Sequence, residues 1–112
     1  MKDLSQEAKV IGTQAWLLDH NLNLNGVKTY KDAQDLIASV TNARHLKLNT
    51  PEGRPKEFKI VKDELEKYFG YSKEELKSFK GSGGYLNATA ELNSLLVNTV
   101  IFLTNAKPAD LF

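Results

Sequence analysis

The run HLKLNTPEGRPKEFKIV (45–61) decides the fold class. Leu46 and Leu48 alternate with His45 and Lys47, and Phe58 and Ile60 flank Lys59. Alternation of this kind marks a half-buried strand, because successive strand side chains point to opposite faces. Between the two runs stands NTPEGRP (49–55), rich in turn formers and stiffened by Pro51 and Pro55. The stretch therefore reads as a β-hairpin with one apolar and one basic face. A further hairpin is expected over NLNLNGVKTY (21–30). There Leu22 and Leu24 alternate with asparagines, and Asn25-Gly26 is well suited to positive φ in a two-residue turn.

The remaining segments read as helices. From Leu4 to about Asp19, the residues Leu4, Ala8, Ile11, Ala15 and Leu18 recur at spacings of four and three. They form one helical face, expected to meet the core. Asp3 is placed to cap this helix, with Gln6 as its capping-box partner. Gly12 is a weak point, costing about 1 kcal/mol against alanine in a helix interior. Trp16, beside the stripe, reads as a core or edge aromatic and, alternatively, as a partner-binding anchor. Thr29 and Asp32 form a capping box for a helix over 30–40, expected to end near Thr41-Asn42. The last helix, from Asn87 or Thr89 to about Thr104, is apolar around most of its circumference and should be central. Together these readings give a single compact α+β domain over 1–112, mostly helical, with one or two short antiparallel hairpins.

LEKYFGYSKEELKSF (65–79) reads as a short helix, a turn at Gly70, and a second helix capped by Ser72 and Glu75. With its apolar residues Leu65, Phe69, Tyr71, Leu76 and Phe79, the order resembles the helix-turn-helix of bacterial and phage regulators. The resemblance covers about one-sixth of the chain. It implies a DNA-reading second helix, with the neighbouring basic hairpin as a wing. The sequence departs from that pattern at Glu66, where the motif usually has a small residue for the helix crossing. Glu74 and Glu75 on the second helix also oppose phosphate. A ten-residue run, GGYLNATAEL (83–92), resembles the GYINAT run of KilA-N domains and is read as coincidence.

Composition narrows the function. Net charge is +1, so no strong pull toward nucleic acid or an anionic membrane follows from it. The basic excess is local: Arg44, Lys47, Arg54, Lys56, Lys59 and Lys62 face only Glu52 and Glu57 between residues 44 and 62. Cysteine is absent, which excludes disulfides and thiolate chemistry and favours a cytoplasmic setting. MKDLSQEAKV has no apolar core of a signal peptide, and LLVNTVIFL (95–103) is too short for a membrane span of about 20 residues. His20 and His45 lack a second ligand at metal-binding spacing. KGSGG (80–84) places its lysine before the glycines, the reverse of a P-loop. No catalytic, cofactor or metal residue is expected, although His45, Glu75 and Lys80 are the groups an active site assembled from scattered residues would draw on.

The first expectation is thus a non-enzymatic module that contacts a protein partner, self-association included, with Trp16, Leu111 and Phe112 as contact residues. The alternative is a small nucleic-acid-binding regulator that uses Arg44, Lys47, Arg54, Lys56, Lys59, Lys73, Lys77 and Lys80.

Overall fold

Ser5, not Asp3, opens the first helix. Its side chain accepts from the Ala8 N–H at 3.1 Å, satisfying one of the amides that a helix start leaves unpaired. Helix α1 runs Gln6–Asp19. Asn21 then turns left-handed with φ 56°. The Leu22 N–H reaches back to the Leu17 carbonyl and the Asn21 N–H to that of Leu18, a Schellman ending. The computed structural model describes residues 3–48, 53–81 and 83–108, with the side chains of 43–48 not among them. Four more helices follow: α2 (Tyr30–Leu48), α3 (Gly53–Phe69), α4 (Lys73–Lys77) and α5 (Gly84–Thr104).

No strand occurs among the described residues, so the fold is all-helical and the α+β expectation with antiparallel hairpins is wrong. What exists is an isolated parallel bridge between Thr29 and Lys107. It ties the segment after α5 to the start of α2. The Asn25-Gly26 pair does turn, with Gly26 at φ 88° and the Val27 N–H donating to the Leu24 carbonyl at 3.2 Å, but no strand extends from it on either side. Leu22, Leu24 and Val27 pack on the core instead. The local asparagines satisfy the backbone from within the loop, as where Asn23 Oδ1 accepts from the Asn25 N–H at 2.9 Å.

The supposed basic hairpin is two helix ends. Residues 45–48 complete α2, and α3 begins at Gly53; the intervening 49–52 lie outside the described residues. Pro55 stands in the first turn of α3, where a missing N–H is harmless. The buried positions of α3 are Glu57, Val61, Glu64, Leu65 and Phe69, spaced by fours and threes as a helix requires. Ile60, expected to share a strand face with Phe58, is exposed. Helix α2 also passes straight through Thr41-Asn42. Thr41 Oγ1 donates to the Ile37 carbonyl at 3.3 Å and sits in the core.

Both capping boxes hold. Thr29 Oγ1 accepts from the Asp32 N–H at 3.1 Å, and Asp32 Oδ2 accepts from the N–H groups of Lys28 and Thr29 at 3.0 Å each. Ser72 and Glu75 pair reciprocally at the start of α4. Gly70 supplies the turn before it with φ 70°.

Helices α3 and α5 pack together, and each also packs against α1 and α2. Helices α1 and α2 therefore lie on opposite sides of the α3–α5 pair. Leu92, Leu96 and Val100 of α5 and Leu65 of α3 are fully buried between them. Helix α5 is long and apolar enough to span a bilayer by length and composition; its Leu92, Leu95, Leu96 and Val100 build the core, while Leu86 and Phe102 stand exposed.

Helix α1 turns the unexpected way. Its buried residues are Gly12, Thr13, Trp16 and Leu17. Of the stripe expected to face the core, Ile11 is 60% exposed and Leu18 75%, Ala8 and Ala15 are half-buried, and Leu4, which precedes the helix, packs against the core.

Candidate functional site

Trp16 is not a surface anchor, being completely buried. Its indole N–H donates to Glu64 Oε2 of α3 at 3.1 Å. One turn later His20 lies against the indole, with ring centroids 4.1 Å apart. His20 Nδ1 is 2.8 Å from the Trp16 carbonyl, which can only accept, so Nδ1 carries the proton. That leaves Nε2 facing Glu64 Oε2 at 3.4 Å, an ion pair whenever the ring is doubly protonated. Glu64 is a buried carboxylate, and such a group persists only with partners. The cluster fastens α1 to α3.

A second tie closes the same crossing at the surface. The Tyr68 hydroxyl donates to Asp19 Oδ2 at 2.6 Å, and Lys67 Nζ lies 3.3 Å from the same oxygen. The Tyr68 hydrogen bond first, and the lysine second, hold the Asp19 carboxyl below the usual aspartate range. The backbone N–H donors of Lys28 and Thr29 do the same for Asp32. Carboxyls depressed on folding add stability above their ordinary value of 3.8 and lose it as pH falls through the lower folded value. Helical circular dichroism should therefore hold from neutrality down to about pH 4 and decline below it. Asp32→Asn should make thermal stability less sensitive to pH in that acid range.

Of the lysines and arginines singled out for nucleic acid, the structure gathers three. Lys59 of α3 and Lys73 and Lys77 of α4 line one cleft of about 470 Å³, joined by Lys62, which sequence reasoning had not chosen. Half-buried Leu76 and Phe79 line the same cleft, and Asp63 and Glu66 stand among the amines. Lys59 pairs with Asp63 at 2.7 Å and Lys77 with Glu74 at 3.7 Å. The Asp63 hydrogen bond pushes the Lys59 ammonium pKa upward. Lys62 lies 4.2 Å above the Phe58 ring. Arg54 is drawn elsewhere, 4.9 Å from the Tyr85 ring centroid. Lys56 and Lys80 are exposed and do not line the cleft. Arg44 and Lys47 fall on α2, but their side chains, like all of Leu111 and Phe112, lie outside the described residues. The expected recognition helix is only five residues long, and its supposed partner helix is the end of the long α3.

Another concavity, about 530 Å³, runs between α2 and α5 and is lined by Gln34, Thr41, Asn93 and Asn98 among others. None of its described lining residues is charged. Among the described residues no group of three or more histidine, aspartate or glutamate side chains is placed to hold a metal ion.

The outward face of α1 is the remaining surface. Within the helix Ala8, Ile11, Ala15 and Leu18 recur at 3-4-3 spacing, the repeat of a coiled-coil seam, with Ile11 and Leu18 its exposed members. The spacing was visible in the sequence; its direction was not. No protein-family model matches this chain, and neither a curated protein nor a solved structure matches it.

Proposed function

We propose that this chain is a non-enzymatic, cytoplasmic binding module that acts by protein–protein contact, and that one partner is a second copy paired through α1. The supporting observation is the exposed pair Ile11 and Leu18, seven residues apart on a helix whose opposite face already builds the core. An exposed apolar stripe at this spacing is suited to a second helix.

The seam matches itself in antiparallel orientation. A twofold axis at Ile11 sets Ile11 against its own copy and brings Leu18 over the start of the partner helix, while Ala8 and Ala15 let the backbones approach. Antiparallel packing also opposes the helix dipoles favourably and keeps Glu7, beside the seam, away from its own copy. Helix α1 is only about 21 Å long at 1.5 Å per residue, so the contact is small and pairing should be reversible and concentration-dependent. Sedimentation velocity should show the wild-type coefficient rising with concentration. Ile11→Glu combined with Leu18→Glu should stay monomeric at every concentration with unchanged helicity, since neither side chain supports the core. A wild-type monomer throughout, or an unaffected variant, would contradict the proposal.

Nucleic acid is the weaker reading. Lys59, Lys73 and Lys77 share a cleft, but Asp63, Glu66 and Glu74 interrupt the positive surface that continuous phosphate contact demands.

A further inference from the structure

We infer that the cleft between α3 and α4 docks an acidic peptide segment that carries apolar side chains between its carboxylates. Three features define the occupant. The cleft is lined by four amines, those of Lys59, Lys62, Lys73 and Lys77, against two carboxylates, so its balance is positive. Lys73 has no carboxylate partner among the described residues, and Lys62 rests on an aromatic ring. Both ammonium groups are thus free to meet an incoming carboxylate. The half-buried Leu76 and Phe79 add an apolar surface to the same cleft.

A polyphosphate chain uses only the first feature. It would bring a charge every few ångströms past Asp63 and Glu66, with nothing to set on Leu76 and Phe79. A peptide can space its carboxylates to avoid the acidic residues and place a leucine or phenylalanine on the apolar surface. The volume, about 470 Å³, lies in the ordinary range for ligand sites of ~300–1,000 Å³. The cleft is on α3 and α4, away from the α1 seam, so docking is independent of self-pairing.

The test uses fluorescence anisotropy with the full chain and a labelled peptide, EDLFEDLF, blocked at both ends. Saturable binding at low salt is expected. Lys62→Ala with Lys73→Ala should weaken it about tenfold, which asks about 0.7 kcal/mol of each of two exposed charge pairs. The peptide with serine at its leucine and phenylalanine positions should also bind about tenfold more weakly, through lost apolar contact. Ile11→Glu with Leu18→Glu should leave binding unchanged, which separates this site from the α1 pairing. Circular dichroism confirms that each variant is folded. The inference is overturned if the peptide fails to bind at low salt, if the serine peptide binds equally well, if the lysine substitutions have no effect, or if an oligonucleotide of equal charge binds more tightly.

Discussion

Gly12→Ala should cripple the fold, although by helix propensity alone it would stabilise it by about 1 kcal/mol. A Cβ at Gly12 would fall on the Tyr68 carbonyl oxygen and lie 2.8–2.9 Å from two Phe69 ring atoms. The first obstacle is backbone and the second a buried aromatic, so neither can turn aside cheaply. Overpacking of this kind costs about 1–3 kcal/mol and sometimes more, and a clash with backbone belongs at the upper end. In a domain of this size, a loss of about 3 kcal/mol lowers Tm by on the order of 15 °C. Gly70→Ala is the useful control. It faces no atom within 4 Å, and its cost is the left-handed backbone alone, about 1–2 kcal/mol. Thermal melts of the two variants therefore separate a steric requirement from a conformational one. A Gly12→Ala protein as stable as wild type would mean that α1 does not cross α3 where the structure puts it.

Trp16→Ala should be equally damaging for a different reason. The indole is fully buried, and large aromatic truncations in a core cost about 3–5 kcal/mol. Trp16→Phe isolates the polar part. It keeps most of the apolar volume but removes the N–H that donates to Glu64 at 3.1 Å. Taking one donor from a buried carboxylate costs about 1–3 kcal/mol. Chemical denaturation should rank wild type above Trp16→Phe and Trp16→Phe above Trp16→Ala. Equal stability of the two variants would show that the hydrogen bond, and not the packing, carries the residue's contribution.

These substitutions mark where sequence reading reached its limit. The capping boxes at Thr29/Asp32 and Ser72/Glu75 and the Gly70 turn were legible because each is set by residues within a few positions. The two hairpins were misread for a local reason. Leu46/Leu48 and Phe58/Ile60 give alternation over too few residues to separate a period of 2 from one of 3.6. Helix α1 failed differently. It has two apolar stripes, and the more regular one carries Ile11 and Leu18 on the outside while Leu4 reaches the core. The inner one is hidden by its content: a glycine, a threonine, a tryptophan and a leucine do not form an obvious amphipathic pattern. Gly12 was read as a defect because the Tyr68–Phe69 backbone that needs it lies far away in sequence. The lysine cleft was half legible. Lys59, Lys73 and Lys77 were chosen by charge, but Lys62 and the apolar contributions of Leu76 and Phe79 emerge only once α4 folds back on α3.

The α1 pairing follows from that reversed orientation, and the absence of cysteine from the chain makes it directly testable. Ile11→Cys puts a lone thiol at the proposed twofold axis, and Leu86→Cys puts one on an exposed site at the start of α5. Under mild oxidation at a concentration where pairing occurs, Ile11→Cys should give a disulfide-linked dimer rapidly and nearly completely, while Leu86→Cys remains largely monomeric. If the two variants cross-link at the same slow rate, the outward seam of α1 does not join two copies of this protein.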